Sequence, residues 1–396
     1  IDYIRTPIAK FQGGLSEVRA DDLAAIVLKE IVKRNPQIPA EEIEDVILGC
    51  ANQAGEDNRN VARMASLLAE LPVKIGGETV NRLCASGMAA IANAYRAIAI
   101  GEGDFYIAGG VEQMTRAPYV LSKSAQPFGR DVQLFDSSFG WRFVNPKMKE
   151  LYGVDGMGET AENLAEIYKI SREAQDEFAL LSQQKAASAQ NSGRLAQEIV
   201  NVEIPQKKGE PKIFSEDEFV KPDTTLDKLA KLRPAFKKEG GSVTAGNSSG
   251  LNDGAAAMIL ASEDAVKKYN LKPLAKIISS AVVGVEPRIM GIGPVEATKK
   301  ALSRANLSLE DMDIIELNEA FAAQSLSVLQ ELGIDAKDER LNPNGGAIAL
   351  GHPLGMSGTR IVGTAALELQ KKNKKYALCT LCIGVGQGYA MIIEKN

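Results

Sequence analysis

The chain is poor in the residues that most often carry metal, redox and imidazole chemistry. Its 396 residues include a single histidine, His352, and four cysteines. Any reaction that needs an imidazole must therefore use His352. Four cysteines are too few for a disulfide scaffold, which predicts a reducing compartment, the cytoplasm. Cys379 and Cys382 are spaced like half of a zinc site, but no second cysteine pair exists and one histidine cannot complete four ligands, so we expect no metal.

Other features that are missing exclude further classes of protein. No apolar run approaches the ~20 residues that a membrane-spanning helix needs, and we expect no membrane association. The net charge of −5 leaves no basic surface for nucleic acid. No charged leader with an apolar core is visible, so we expect no signal peptide. Residues 1–5 have the pattern of the middle of a strand, so we expect some residues to precede them. A hydrophobic content of 45% over this length favours a large α/β enzyme of two or three domains.

The two ends of the chain share an internal repeat. Asp45 precedes Cys84 by 39 residues, and Asp313 precedes His352 by the same 39. Each aspartate belongs to an acidic turn that enters a short buried strand. Cys84 and His352 are each followed by a predicted helix and strand, at 86–100 and 104–110 in the first copy and at 357–370 and 376–380 in the second. Two such copies predict two halves packed about a pseudo-twofold axis, with Cys84 and His352 facing each other.

The middle of the chain is more polar than the two ends and reads as an insertion. Residues 113–243 replace the buried-strand pattern with polar helices, at 158–168 and 172–192. Ser171 is the expected N-cap of the second helix and Gly193 its stop. We therefore predict a first half of residues 1–112 and 244–271, with a strand at 255–261, an inserted domain of residues 113–243, and a second half of residues 272–396.

Four short stretches concentrate residue types that chemistry needs. A cysteine at a helix N-terminus near an imidazole, as expected for Cys84 and His352, should have a lowered thiol pKa. Asn318 should project from the end of a buried strand, where active-site groups of α/β sheets commonly lie. Cys382 begins a glycine run whose N–H groups could bind an oxyanion. Glu319 is either a general base or, as we favour, an acid at a helix start.

These stretches resemble the four motif blocks of the thiolase family, in order and over essentially the whole chain. The blocks are Asn81-Arg82-Leu83-Cys84-Ala85-Ser86-Gly87, Asn318-Glu319-Ala320-Phe321, Gly351-His352-Pro353 and Cys382-Ile383-Gly384-Val385-Gly386-Gln387-Gly388. The resemblance implies a five-layered αβαβα fold made of two duplicated halves, with a loop domain inserted in the first half. It also implies an acyltransferase that cleaves a 3-oxoacyl-CoA with coenzyme A, or runs the reverse Claisen condensation.

The resemblance also assigns roles to individual residues. It makes Cys84 the acyl-accepting nucleophile, His352 the residue that activates it and donates to the thioester oxygen, and Cys382 the acid/base. Asn318 would hold a water that completes one oxyanion hole with His352. The backbone N–H groups of Cys84 and Gly384 would form the second. No permanently bound cofactor is implied, because coenzyme A is a co-substrate.

The coenzyme A and acyl sites follow from the resemblance with two departures. The matching coenzyme A contacts are Ser249, Phe236, Ala245, Met157 and Phe321, with Lys221 near the position of a family arginine. Gly156 stands where many biosynthetic members carry a histidine. Segments 140–146 and 222–226 resemble the members that act on 3-oxoadipyl-CoA. Arg142 could then hold a terminal carboxylate with paired hydrogen bonds, or could instead pair with an acidic neighbour.

Several alternatives remain open at this level. A thiolase for acetoacetyl-CoA or for 3-ketoacyl-CoA in general would share every catalytic block. A decarboxylating ketoacyl synthase would need a second histidine, or an asparagine, in the place of Cys382. A non-catalytic relative would be expected to have lost Cys84, His352 or Cys382, and this chain keeps all three. The expected partners are acyl-CoA substrates and coenzyme A, and the expected assembly is a homodimer or homotetramer.

Overall fold

The computed structural model describes residues 1–396 and contains fourteen strands. In chain order they are β1 Asp2–Arg5, β2 Ala9–Lys10, β3 Ile43–Gly49, β4 Glu78–Val80, β5 Phe105–Gln113, β6 Tyr119–Leu121, β7 Leu134–Asp136, β8 Val202–Ile204, β9 Lys212–Phe214, β10 Asn252–Ala261, β11 Ala275–Gly284, β12 Ile314–Leu317, β13 Tyr376–Ile383 and β14 Gln387–Lys395. The strands predicted at 104–110, 255–261 and 376–380 correspond to β5, β10 and β13, each of which is longer than the pattern indicated.

Twelve α-helices accompany the strands. They are α1 Ala20–Arg34, α2 Val61–Leu68, α3 Ser86–Ala99, α4 Pro146–Tyr152, α5 Met157–Ile167, α6 Arg172–Asn191, α7 Leu226–Ala230, α8 Glu263–Lys268, α9 Gly293–Ala305, α10 Ala322–Leu332, α11 Ala347–Leu350 and α12 Leu354–Lys372. The hydroxyl of Ser171 accepts the N–H of Ala174 at 3.1 Å, which confirms the predicted N-cap of α6. None of these helices combines the length and the apolar character that crossing a membrane would require.

Two mixed sheets repeat the same arrangement. The first has the order β1-β10-β5-β3-β4, with β2 also paired to β10, and the second has the order β11-β14-β13-β12. In the first sheet β3 runs parallel to β5, and β5 runs antiparallel to β10. In the second, β12 runs parallel to β13, and β13 runs antiparallel to β14. This correspondence confirms the duplication that the repeat predicted.

Three hydrophobic cores separate five layers. One core lies between α1 and α2 and the outer face of the first sheet, and another between the second sheet and α9 and α10. The third surrounds α3 and α12, which lie between the two sheets. A Cβ at Gly358 of α12 would lie 2.4 Å from the backbone nitrogen of Met88 on α3, so the two central helices touch through glycine. The order α-β-α-β-α confirms the expected fold.

The segment between β5 and β10 contains two small hairpins and helices α4 to α7. Its helices α5 and α6 pack against α10 and α11 of the second half, so the segment does not contact the first half alone. A buried ion network holds it in place. Arg5 of β1 pairs with Glu198 at 2.7 Å and with Asp217 at 2.7 Å, and Arg194 joins Glu198 to Glu368 of α12. The inserted segment is therefore tied to both halves.

Candidate active site

A cavity of about 690 Å³ lies where the inserted segment meets the two halves. Nine of the residues to which the sequence analysis assigned a role line it: Cys84, Arg142, Met157, Phe236, Ser249, Phe321, His352, Cys382 and Gly384. Asn318 lies behind the wall, where it contacts His352. Ala245 and Lys221 are exposed and do not line this cavity. The structure thus places the two thiols, the imidazole and the arginine around one space.

Cys84 lies in a tight turn at the entrance to α3. The turn is a short 3-10 segment, Leu83–Ala85, in which Leu83 has the left-handed φ of 46° that non-glycine residues rarely adopt. Two side chains hold this strained turn. The N–H of Leu83 donates to Oδ1 of Asn81 at 2.9 Å, and the hydroxyl of Ser86 donates to the carbonyl of Leu83 at 2.7 Å. Such strain persists where the surroundings over-determine the backbone, as at reactive side chains.

The expected lowering of the Cys84 thiol pKa is wrong for the resting protein. Burial raises the pKa of Cys84 to about 11, although N–H groups of Gly384 and of Cys84 itself donate to the sulfur and oppose the rise. The imidazole offers no compensating charge. Burial, together with the positive charge of Arg360, lowers the pKa of His352 to about 3, so the ring is neutral. Cys84 is therefore a neutral thiol that shares the cavity with a neutral base.

The hydrogen bonds of His352 define which ring nitrogen is free. Nδ1 lies 2.6 Å from Oγ of Ser357, and the Ser357 hydroxyl donates onward to the carbonyl of Pro353 at 2.8 Å. Because that hydroxyl proton is already used, Oγ accepts from Nδ1–H. Nε2 then carries the lone pair, with Nδ2 of Asn318 at 3.4 Å. A neutral imidazole in this tautomer can accept a proton at Nε2.

The loop that carries His352 is fixed by a residue of the other half. The N–H of His352 donates to Oδ1 of Asn252 at 2.9 Å, and Asn252 begins β10. Gly351 has a φ of 106°, and a Cβ there would lie 2.6 Å from the Asn252 amide carbon. Only glycine permits this approach. Sequence reasoning missed both Asn252 and Ser357, since neither stands in a motif block that was assigned a catalytic role.

Asn318 follows β12, as the sequence predicted. Its N–H donates to the carbonyl of Thr380 at 3.0 Å, which holds the residue against β13. The side chain is fully buried, and its Oδ1 has no hydrogen-bond partner in the protein. A buried carbonyl oxygen of this kind is the type of group that an ordered water satisfies.

Cys382 lies near the end of β13 and is fully buried. Burial and the neighbouring Cys84 sulfur both raise the pKa of the Cys382 thiol above its usual range. The second thiol therefore holds its proton in the resting protein. Cys379, three residues earlier, is fully buried and donates to the carbonyl of Ile361 at 3.6 Å, as a small packed residue on a strand does.

The role of general base does not fit Glu319, and its role as a helix-start acid applies to a helix other than the one that follows it. It does not line the cavity, and α10 begins only at Ala322. Its carboxylate accepts from the hydroxyl of Ser182 at 2.6 Å, from Nδ2 of Asn342 at 2.7 Å and from the N–H of Ile348 at 3.2 Å. Glu319 therefore joins α6 to the loop before His352 and caps the short helix α11 rather than its own.

Glu112 is a residue of the cavity wall that sequence reasoning missed. It is the next-to-last residue of β5 and the only charged side chain in that strand, and this isolated acid was the available signal. Its carboxylate accepts three backbone N–H groups, from Ala51 at 3.0 Å, Asn52 at 3.0 Å and Gly355 at 2.8 Å. Burial outweighs these bonds and raises the pKa of Glu112 to about 7. Glu112 thus holds the loop after β3 against the first turn of α12.

Cys50, Asp57 and Glu112 lie close enough together to suggest a metal site. Their acceptor atoms are already used, however. Asp57 accepts the N–H groups of Gln53 and Gly55 and the thiol of Cys50, and Glu112 accepts three further N–H groups. Backbone donors that point at these oxygens would repel a cation, so the cluster does not support a metal site.

Arg142 has no acidic partner, so the alternative of an ion pair within the inserted segment is wrong. Its guanidinium donates to the carbonyl of Ser137 at 3.3 Å and to Oδ1 of Asn52 at 3.1 Å. The adjacent Trp141 donates its indole N–H to the carbonyl of Asp155 at 3.2 Å, which holds the segment. An arginine with only neutral acceptors keeps its charge available to the cavity.

The cavity wall also contains two aromatic rings that touch each other. Phe236 and Phe321 meet edge to face with ring centroids 6.1 Å apart. A Cβ at Gly158 would lie 2.1 Å from the Phe236 ring, so the start of α5 packs directly on this ring. Gly156 also lines the cavity and leaves open the space that a histidine side chain would fill. Outside, the Lys221 ammonium lies 4.8 Å from the centroid of the Phe219 ring.

Comparison with known proteins agrees with this geometry. Residues 1–264 match the model of the thiolase N-terminal domain, and residues 271–395 match that of the thiolase C-terminal domain. The chain is 60% identical over 394 residues to a 3-oxoadipyl-CoA/3-oxo-5,6-dehydrosuberyl-CoA thiolase of Escherichia coli K12, covering 100% of this chain and 98% of that protein. It is 58% identical over 395 residues to a beta-ketoadipyl-CoA thiolase of Acinetobacter baylyi, with the same coverage.

A solved structure gives the same answer for the fold. The acetyl-CoA acetyltransferase of Bacillus anthracis matches with a TM-score of 0.92 and 42% sequence identity, over 100% of this chain and 98% of that one. Both family domains, the duplicated five-layered fold and two thiols beside one imidazole therefore lead to one conclusion: this chain belongs to the thiolase family and is an acyltransferase.

Proposed function

We propose that this thiolase cleaves 3-oxoadipyl-CoA with coenzyme A to acetyl-CoA and succinyl-CoA. The observation that carries the proposal is Arg142, which lies in the wall of the Cys84 cavity without a carboxylate partner. A substrate with a distal carboxylate supplies that partner, because guanidinium and carboxylate form paired charged hydrogen bonds. Relatives that are 57% to 60% identical carry the name of a beta-ketoadipyl-CoA or 3-oxoadipyl-CoA thiolase, which supports the same substrate.

The first half-reaction forms the acyl-enzyme. Nε2 of the neutral His352 takes the proton of the Cys84 thiol as the sulfur attacks the C3 carbonyl. The bond between C2 and C3 then breaks, and its electron pair passes into the acetyl-CoA enolate. Cys382 gives its proton to C2 of that enolate. A donor whose pKa is raised by burial suits this step, since it stays protonated until the carbanion forms.

The second half-reaction returns the acyl group to coenzyme A. The Cys382 thiolate removes the proton of the incoming coenzyme A thiol, which attacks the succinyl thioester on Cys84. The bond between the Cys84 sulfur and the acyl carbon then breaks, and the departing sulfur takes back the proton that Nε2 of His352 had accepted, which restores both thiols and the neutral imidazole. We assign one oxyanion hole to the N–H groups of Cys84 and Gly384. We assign the other to His352, once Nε2 is protonated, with a water held by the unpartnered Oδ1 of Asn318.

In this proposal coenzyme A binds along the part of the cavity wall that contains Phe236 and Phe321. It is a co-substrate, and no permanently bound cofactor is needed. Four of the proposed contacts, Ser249, Phe236, Met157 and Phe321, line the cavity, and the other two, Ala245 and Lys221, are exposed residues outside it. We retain the predicted division into residues 1–112 with 244–271, residues 113–243 and residues 272–396. The four cysteines are all free thiols, in keeping with a reducing compartment, and we propose the cytoplasm.

We also propose that the protein is a homodimer or homotetramer. The β6–β7 hairpin exposes Tyr119, Leu121 and Leu134, each by 65% or more. Apolar side chains grouped on one exposed hairpin favour an interface between copies of the chain. The molar mass in solution, measured by light scattering, tests this proposal, and a monomer would contradict it.

The substrate is tested by comparing kcat/KM for 3-oxoadipyl-CoA and acetoacetyl-CoA. Arg142→Ala should lower the ratio of the two values about ten- to a hundredfold, because a charged hydrogen bond is worth about 1.5 to 3 kcal/mol. Arg142→Lys should restore only part of the ratio, since lysine keeps the positive charge but cannot form the paired hydrogen bonds of a guanidinium. Arg130→Ala, an exposed arginine of the same segment, is the matched control. Equal losses on both substrates would instead indicate a general 3-ketoacyl-CoA or acetoacetyl-CoA thiolase.

A further inference from the structure

The guanidinium of Arg142 is held by acceptors that carry no charge. One is the backbone carbonyl of Ser137, and the other is the side-chain oxygen of Asn52, at 3.1 Å. Both residues line the cavity beside Arg142. Asn52 is the only one of the two whose side chain makes the contact, so a substitution there changes the surroundings of the guanidinium directly.

The orientation of the Asn52 amide follows from its neighbours. The hydroxyl of Ser137 donates to the carbonyl of Pro118 at 2.6 Å, so its oxygen is left to accept from Nδ2 of Asn52 at 3.4 Å. Oδ1 consequently faces Arg142, which can only donate. Both ends of the amide are thus fixed, because Nδ2 donates to the Ser137 hydroxyl and Oδ1 accepts from the Arg142 guanidinium.

The backbone of Asn52 is linked, through Glu112, to the first turn of α12, the helix that follows His352. Its N–H donates to Oε1 of Glu112 at 3.0 Å, and Oε2 of the same carboxylate accepts the N–H of Gly355, three residues after His352. Glu112 is fully buried with its oxygens directed at backbone donors. The same carboxylate therefore holds both the loop that contains Asn52, whose side chain orients Arg142, and the first turn of α12.

We propose that Asn52 is a specificity-determining residue that presents Arg142 to the distal carboxylate of a dicarboxylic 3-oxoacyl-CoA. The inference rests on the proposed function and deepens it. An aspartate in this place would form an ion pair with Arg142, neutralise it and repel a second carboxylate. The neutral amide has the same shape, holds the same donor and leaves the positive charge for the substrate.

The test is a pair of substitutions at Asn52 with a control in the same loop. Asn52→Asp should lower the ratio of kcat/KM for 3-oxoadipyl-CoA over acetoacetyl-CoA about ten- to a hundredfold, as expected for one lost charged hydrogen bond. Asn52→Ala removes the acceptor that orients Arg142 but adds no charge, so it should lower this kcat/KM ratio by about threefold to tenfold. Asn58→Asp makes the same charge change at an exposed position outside the cavity and should leave the ratio unaltered.

A second measurement follows acylation of Cys84 by mass spectrometry, with succinyl-CoA or acetyl-CoA as the donor. Asn52→Asp should slow succinylation far more than acetylation, and continued acetylation shows that the variant is folded. In an Arg142→Ala background, Asn52→Asp should cause no further loss of selectivity, because the two residues act through one contact.

The outcomes separate this inference from the proposed function. If Arg142→Ala lowers the substrate ratio and Asn52→Asp does not, the role of Asn52 is overturned and the proposed function stands. If Arg142→Ala leaves the ratio unchanged, carboxylate recognition by Arg142 fails and the inference on Asn52 fails with it. A loss from Asn52→Asp that is equal on both substrates would also contradict the inference, since it would show a general effect on the cavity.

Discussion

Nδ1 of His352 lies 2.6 Å from Oγ of Ser357, and this contact determines how the only histidine of the chain can act. The Ser357 hydroxyl uses its own proton on the carbonyl of Pro353, so it can only accept from the ring. Nε2 is thereby left unprotonated, with Nδ2 of Asn318 at 3.4 Å, and the ring lines the same cavity as Cys84. A buried, neutral imidazole with a fixed tautomer is a base that needs no prior deprotonation at neutral pH.

Ser357→Ala should therefore lower kcat about ten- to a hundredfold with little change in KM, because it leaves Nδ1–H without an acceptor and frees the ring to change tautomer. Steady-state kinetics with acetoacetyl-CoA measures the effect. Ser327→Ala is the matched control, since that buried serine donates only to the carbonyl of Ala323 within α10. Equal losses in the two variants would point to a general packing effect.

Alkylation of Cys84 by iodoacetamide should rise steadily with pH. The thiolate is the reactive form, and a pKa of about 11 leaves its fraction growing across the whole range from about pH 6 to about pH 9. Cys84 should still react faster than Cys50 or Cys379, because it lines the cavity and is 9% exposed while the other two are fully buried. Prior acylation by an acyl-CoA should protect it. A rate plateau near pH 7 would instead indicate a thiolate–imidazolium pair.

Cys382→Ser should accept an acyl group on Cys84 from acetyl-CoA but turn over about 10²- to 10⁴-fold more slowly, the usual contribution of a general acid/base. The hydroxyl cannot easily supply or remove the proton at C2. Intact-protein mass spectrometry follows the acylation, and a coupled assay follows turnover. Cys379→Ser, on the same strand but against Ile361 of α12, is the control. Near-normal turnover of Cys382→Ser would remove Cys382 from the mechanism.

Glu112 should make the stability of the protein depend on pH. The pKa of Glu112 is raised from 4.5 to about 7, so between these values the folded state binds a proton that the unfolded state has released. The contribution of this group to stability therefore falls as the pH rises through that window, by roughly 3 kcal/mol at 1.36 kcal/mol per unit.

Glu112→Gln should flatten that dependence. Burial also raises the pKa of Asp253 to about 6 and that of Glu316 to about 7. Both residues are present in wild type and variant, so their contributions cancel in the difference between the two unfolding free energies. Urea denaturation of wild type and variant at several pH values between about 4.5 and about 7 gives the comparison. A difference in unfolding free energy that does not vary with pH would show that Glu112 is charged throughout.

Much of the fold could be predicted from the sequence because it depends on local patterns of residues. The equal spacing of the two copies predicted the duplicated sheets. The division at residues 113–243 stays a prediction. Ser171 was recognised as an N-cap because capping depends on neighbours three residues away. The motif blocks also identified the two thiols and the imidazole, since their residue types are unusual in glycine-rich turns.

The tertiary structure alone decided what those groups do. The Cys84 thiol pKa was expected to be low from its position at a helix start, but burial, which no local pattern reports, raises it. Glu319 looked like part of a catalytic block and instead joins α6 to the loop before His352. The contact of Asn52 with Arg142 spans 90 residues of chain, and that of Glu112 with Gly355 spans 243. Local sequence determines propensity and turn chemistry, whereas desolvation and long-range hydrogen bonds exist only once the layers have packed.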